Sequence, residues 1–281
     1  MTDPPPDRSN FRLFARSCAQ ICEKDVGGAR SIDVLITSPP YNVGHPYKEY
    51  NDSLPAEEYT NLLKFVIGKA HSLLNQNGLM IWDIAKWISR PDNSRWHASD
   101  DLQRWCKERE FSLLAKYGYV ANLWQTAPDE ERSHSLTQHI LVFGKNGGDF
   151  PTVPKQNPFR TEYVFQIGGT ETGGRDEAFW PSDLVRDFIT AFALERKVVL
   201  DPFMGEGLLG LMVAASGGTF IGYEIAESIC ERARYLSQRE FGHELIVFSE
   251  SFHRVFAEPA YTDLEYAGVV VVDQLGGREF P

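Results

Sequence analysis

The chain has 281 residues, 42% of them hydrophobic and 24% charged, and a formal net charge of −11. That length suits one large α/β domain with ample apolar residue for a core, and the charge argues against broad, non-specific affinity for nucleic acid, because phosphate contacts need clustered Lys and Arg. No apolar run approaches the roughly 20 residues that span a bilayer, and MTDPPPDRSN at the start lacks the marks of a signal peptide, so a cytoplasmic protein is expected.

Four cysteines (Cys18, Cys22, Cys106 and Cys230) and seven histidines are scattered without paired ligand spacings, so reduced thiols and no metal are expected. In chain order, Ile32–Ile36 reads as a buried strand ending at the loop Thr37-Ser38-Pro39-Pro40-Tyr41. Tyr59, Leu62, Leu63, Val66, Ala70, Leu73 and Leu74 recur at helical spacing. Asn77-Gly78 reads as a turn into the strand Leu79–Trp82, and a helix from about Asp101 to Ala115 precedes a strand around Tyr119–Trp124. The strand His139–Phe143 follows so soon that an antiparallel pair at the sheet edge is expected. Residues 144–178, rich in Gly, Pro, Asn and Thr, read as an irregular insertion. Ser182 is the expected N-cap of a helix burying Leu184, Val185, Phe188, Ile189 and Phe192. Val198–Leu200, a glycine-rich turn, a helix and Phe220–Tyr223 complete the pattern. Alternating strands and amphipathic helices predict a single doubly wound α/β domain, its sheet mostly parallel with an antiparallel edge strand.

Two loops carry the chemistry. Asp201-Pro202-Phe203-Met204-Gly205-Glu206-Gly207 leaves a strand and opens a helix. Glycines there admit a ligand close to the backbone and leave amide N–H groups at the helix start. Glu224, followed by Ile225, stands at the end of the next strand, about 20 residues on, where an acid can accept hydrogen bonds from ribose hydroxyls. No phosphate-loop lysine is present, and Asp201 and Glu206 would repel pyrophosphate, so a phosphate-free, positively charged nucleoside, S-adenosylmethionine, fits best. The other loop, Ser38-Pro39-Pro40-Tyr41, lies at a strand's carboxyl end, where open α/β sheets bind ligands. A base amine is a poor nucleophile because its lone pair is delocalised into the ring. Acceptance of its two hydrogens by the Ser38 hydroxyl oxygen and the Pro39 carbonyl would localise that pair, while Tyr41 offers a ring for a flipped base to stack upon.

With these motifs the chain resembles the amino-methylating DNA methyltransferases in their permuted, β-type order, where a Ser-Pro-Pro-Tyr loop precedes an Asp-Pro-Phe-x-Gly-x-Gly loop. The resemblance spans roughly residues 11–240 and implies the Rossmann-like methyltransferase fold, S-adenosylmethionine as cofactor and double-stranded DNA with a flipped base as substrate. It assigns catalysis to Ser38, Pro39, Pro40 and Tyr41, and cofactor binding to Asp201, Phe203, Gly205, Gly207, Glu224, Ile225 and Ser182. Ser182 belongs to Phe179-Trp180-Pro181-Ser182-Asp183-Leu184, which is similar to the family's Phe-x-Pro segment. Serine at the head of the loop favours cytosine N4 as target. Adenine N6, an RNA substrate and a non-catalytic subunit of a modification complex stay open, as do a homodimer and a partner restriction nuclease. Three departures stand out. Ala15-Arg16-Ser17 replaces the family's Gly-Asp-Ser/Cys, whose acid touches the cofactor adenine. Leu208 stands where threonine is usual. The candidate target-recognition region, 144–178, is short. The extension 241–281 repeats the pattern of residues 13–17 at Val247–Ser251, with a Val-rich run at Val269–Val272, and Glu250 could supply the missing acid. Lys86, Arg90 and Arg95, interleaved with Trp87 and Trp96, form the expected phosphate-contacting loop, with a tryptophan free to fill the gap in the base stack; Lys145, Lys155 and Arg160 are the second choice.

Overall fold

Strands rich in Val, Ile and Leu with no polar alternation need cover on both faces, and the central strands here receive it. The computed structural model describes residues 10–240 except 46, 48–49, 91–93, 124–133, 166, 170–174 and 179. In chain order the elements are β1 (Phe11–Ala15), α1 (Glu23–Val26), β2 (Ile32–Thr37), α2 (Ala56–Leu73), β3 (Leu74–Ala85), β4 (Ile88–Ser89), β5 (Arg95–Trp96), α3 (Ala98–Glu108), β6 (Phe111–Leu123) and β7 (Thr137–Lys145). They continue with β8 (Glu162–Phe165), β9 (Ile167–Gly169), β10 (Arg175–Ala178), α4 (Ser182–Phe192), β11 (Val198–Asp201), α5 (Leu208–Ala215), β12 (Thr219–Glu224) and α6 (Glu227–Glu240).

The main sheet has the order β1-β12-β11-β2-β3-β7-β6-β8. Strands β1, β12, β11, β2 and β3 run parallel, β7 is antiparallel to both β3 and β6, and β8 is parallel to β6. The antiparallel β6–β7 pair is present, but the antiparallel strand expected at the edge stands two places in from it, because residues 144–178 contribute β8 and extend the sheet. That segment also forms the small β9–β10 sheet, so it is less irregular than its composition suggests. One face packs Leu184, Val185, Phe188 and Phe192 of α4 against Ile36, Ile81 and Val142; the other packs Leu63, Val66, Ile67 and Ala70 of α2 against Leu35, Met80 and Leu141. Each fully buried aliphatic side chain contributes about 1.5–3 kcal/mol.

Three boundaries differ from expectation. Helix α2 stops at Leu73, and Asn77-Gly78 lies inside β3 where the register to β2 shifts between Ile32 and Val34, so sheet pairing overrides a turn signal. Helix α3 ends at Glu108 rather than near Ala115: Glu110 takes a left-handed φ of 60°, and Phe111 begins a 13-residue strand. Ser182 is the first residue of α4, and Pro181 occupies the N-cap position without a side-chain cap.

Candidate active site

Because five strands run parallel, the carboxyl ends of β1, β12, β11, β2 and β3 share one rim, and both loops read from the sequence emerge there. They are joined directly. Thr37, the last residue of β2, donates from its hydroxyl to Asp201 Oδ1 at 2.6 Å, and the Phe203 N–H donates to the same oxygen at 3.0 Å. Asp201 is buried, and that burial pushes its pKa up to about 7. The carboxyl thus ties the two loops together.

The Ser38–Tyr41 loop is pinned from several elements. Tyr59 of α2 donates to the Pro40 carbonyl at 2.6 Å. Tyr41 donates its hydroxyl to Gln138 Oε1 at 2.9 Å and accepts from the Ala85 N–H at 3.0 Å, while Gln138 Nε2 donates to the Ser135 carbonyl. Burial, then the charge of Asp83, raises the Tyr41 phenol well above its usual range, with Ala85 and Ser38 opposing the shift. Past the loop Asn42 adopts φ 59°, and the buried Asp52 accepts the N–H groups of Asn42, Val43 and His45 at 2.8–2.9 Å. The Pro40 carbonyl is thus committed to Tyr59.

Sequence reasoning missed Gln138, Asp52, Tyr59 and Asp83. Asp83 is buried on β3, accepts from the Tyr119 hydroxyl at 2.7 Å, and is raised to about 7 chiefly by desolvation. The Trp180 indole stacks on Phe188 of α4 with ring centroids 5.0 Å apart. Phe179 lies outside the described residues. No hydrogen bond among the described residues carries Ser182 to the Asp201–Gly207 loop.

The glycine loop is shaped by backbone. Gly205 and Gly207 take φ 53° and 75°, Met204 donates its N–H to the Tyr223 carbonyl, and Gly207 donates to the Met204 carbonyl. Open space surrounds the place a Cβ on Gly205 would occupy. At the end of β12, Glu224 Oε1 accepts from the Ala226 N–H at 2.9 Å, and Ile225 is 40% exposed. An acceptor, an exposed apolar side chain and an open glycine backbone are what a nucleoside needs. Ala15 is in register with Glu224, so β1 holds the place beside β12 for which the tail pattern at 247–251 would compete; that pattern and Glu250 lie outside the described residues. Arg16 turns to pair with Asp25 and stacks over Phe14 and Tyr223 at 4.7 and 5.6 Å.

The basic loop lies on the same rim. Trp96 meets Tyr59 edge-on at 6.0 Å, and His134, bridged to Ile88, meets Tyr41 at 5.0 Å. Neither tryptophan is free to enter a base stack: Trp87 is buried beneath Arg95, whose guanidinium lies 4.1 Å from the ring, and Trp96 donates to Asp101 at 2.8 Å beneath Arg90. Of the second-choice cations, Lys145 is buried on the Leu74 carbonyl and Arg160 is paired with Asp183 and Asp187.

The chain is 34% identical over 244 residues to M.BglII, a type II methyltransferase of Bacillus subtilis, covering 72% of this chain and 62% of that protein. A 54-residue stretch, 44% identical to M.MjaVI of Methanocaldococcus jannaschii, covers 19% of this chain and 28% of that type II methyltransferase. Thus the matched stretches span less than two thirds of either relative. Among solved structures, TTHA0409 of Thermus thermophilus complexed with S-adenosyl-L-methionine is similar at TM-score 0.57 and 18% identity, covering 82% of this chain and 93% of that one. The PvuII cytosine-N4-specific DNA methyltransferase is similar at TM-score 0.56 and 17% identity, with the same coverage. At those identities the structural likeness establishes the fold. The family profile described as DNA methylase matches residues 32–235, most of the chain, which therefore belongs to the N6/N4 DNA methylase family.

Proposed function

We propose that this protein transfers a methyl group from S-adenosylmethionine to the exocyclic amine of a DNA base flipped out of the duplex, with cytosine N4 as the target. The observation that carries this reading is the hydrogen bond from Thr37 to Asp201, which couples a loop of fixed acceptors to an open glycine loop. Bound S-adenosylmethionine supplies a sulfonium-activated methyl group. The open backbone at Gly205, Glu224 as ribose acceptor and exposed Ile225 as a nucleoside contact suit that molecule.

At the other loop, Ser38 and the Pro39 carbonyl accept the two amine hydrogens, which directs the nitrogen lone pair at the methyl carbon. Transfer would leave the sulfur of the cofactor as a neutral thioether, and the surplus proton of the methylated amine would be lost to solvent water. The anchored Tyr41 ring holds the base in place, so the geometry exists before the base arrives and costs no reorganisation during transfer. Serine at the head of the loop supports cytosine over adenine. Genomic DNA treated with protein and S-adenosylmethionine, digested to nucleosides and analysed by mass spectrometry, tests the proposal. N4-methylcytosine is expected; N6-methyladenine would move the target, and no new nucleoside despite cofactor binding would make the chain a positioning subunit.

A further inference from the structure

Basic side chains form a diagonal across one face of the sheet, from three adjacent strands. His139 on β7 stands opposite Ile84 of β3 and Gly118 of β6. Residues two apart in a strand share a face, so Lys116 lies on the His139 side. Lys86 comes two residues after Ile84, and its N–H continues the ladder by donating to the Thr137 carbonyl at 2.8 Å. Diagonal neighbours of this kind come within reach of long side chains. Gly118 has no side chain, so the His139 ring is flanked by the two lysines. Burial first, then Lys116 and Lys86, push the ring down to about 4, with Asp100 the one acid opposing them. Its Nδ1 is buried without a hydrogen-bond partner among the described residues.

Lys86 and Lys116 are exposed, and among the described residues neither makes an ion pair. On a chain of net charge −11 this is a local reversal of sign. Val120, four residues beyond Lys116 on the same face, is 41% exposed, so the face is open to solvent there. The row also reaches the active-site rim, since the N–H of Ala85, immediately before Lys86, holds the Tyr41 hydroxyl.

We propose that Lys86 and Lys116, on either side of His139, hold the sugar–phosphate backbone of the DNA duplex beside the flipped base. Strands lie about 4.8 Å apart, so the two lysines rise from strands roughly 10 Å apart. That separation suits different phosphates of one polymer better than a single free anion. His139, neutral at pH 7, lends the row no charge of its own. This inference rests on DNA being the substrate, but its test reads binding alone, so failure of methyl transfer and failure of the lysine row remain distinguishable.

The test is a salt titration of binding to a fluorescein-labelled duplex of mixed sequence, followed by anisotropy. Lys86→Gln/Lys116→Gln should reduce the steepness of log K against log salt by about 1.8, two contacts at roughly 0.9 each. Lys86→Arg/Lys116→Arg should keep the slope of the unaltered protein. An unchanged slope in the Gln pair, an equal loss in the Arg pair, or no duplex binding by the unaltered protein overturns the proposal.

Discussion

The two loops at the rim are held by different means. The Ser38–Tyr41 loop is fixed by side chains from distant parts of the chain: Tyr59 on the Pro40 carbonyl, Gln138 on Tyr41, and Asp52 on the three N–H groups that follow. The Asp201–Gly207 loop is fixed by its own backbone and two left-handed glycines, with open space above Gly205. The first must present acceptors at one geometry while charge develops, so rigidity is its function. The second must let a ligand approach the main chain, so the absence of side chains is its function. Substitutions in the first should therefore change chemistry, and those around the second should change cofactor affinity.

The largest effect is expected for Ser38→Ala. Losing an acceptor used mainly in the transition state costs about 2.7–4 kcal/mol, or 10²–10³ in single-turnover rate, with S-adenosylmethionine affinity unchanged by calorimetry. A near-native rate would remove Ser38 from the chemistry. Glu224→Ala should do the reverse and weaken cofactor binding by roughly 1–3 kcal/mol, the cost of unsatisfied buried hydroxyls. Unchanged affinity would place the ribose elsewhere.

Asp83 sharpens the comparison through pH. Its carboxyl is raised to about 7, above the value of 3.8 it starts from, so the folded state keeps a proton that the unfolded state loses. Stability from this group is therefore full at low pH and falls between about pH 4 and 7, by roughly 1.4 kcal/mol per pH unit across that window. Asp83→Asn removes the dependence, so the melting temperature of the variant should improve relative to the unaltered protein on going from pH 5 to pH 8. A constant difference would show that Asp83 ionises normally. The smallest effect belongs to the Tyr41 anchor. Gln138→Leu should cost about 0.5–1.5 kcal/mol in transition-state stabilisation, the worth of one hydrogen bond, and Tyr41→Phe more, because it also removes the acceptor of the Ala85 N–H. The double variant should be little worse than Tyr41→Phe alone, since the Gln138 bond is already lost in it. Fully additive losses would mean that Gln138 acts apart from Tyr41.

Much of this arrangement was readable beforehand, for physical reasons. Apart from Asp33, Ile32–Ile36 and Val198–Leu200 are apolar and mostly buried, while Gly205 and Gly207 mark a backbone that only glycine adopts readily. What could not be read depends on contacts between remote segments. Gln138 lies 97 positions from Tyr41, and nothing local to it signals a partner. Asn77-Gly78 looks like a turn but is drawn into β3 by its neighbours, and α3 ends at Glu108 with no glycine or proline to mark the stop. Trp87 and Trp96, interleaved with basic residues, suggested a side chain for the base stack; instead an arginine covers each ring.

The division of labour between the loops is tested most directly by the single-turnover rate of Glu224→Ala, measured with S-adenosylmethionine raised until the cofactor site is saturated. If the glycine side binds and the serine loop performs the chemistry, the rate should return to within a few-fold of the unaltered protein. A rate at saturation as low as that of Ser38→Ala would contradict that division and make Glu224 part of the chemical step.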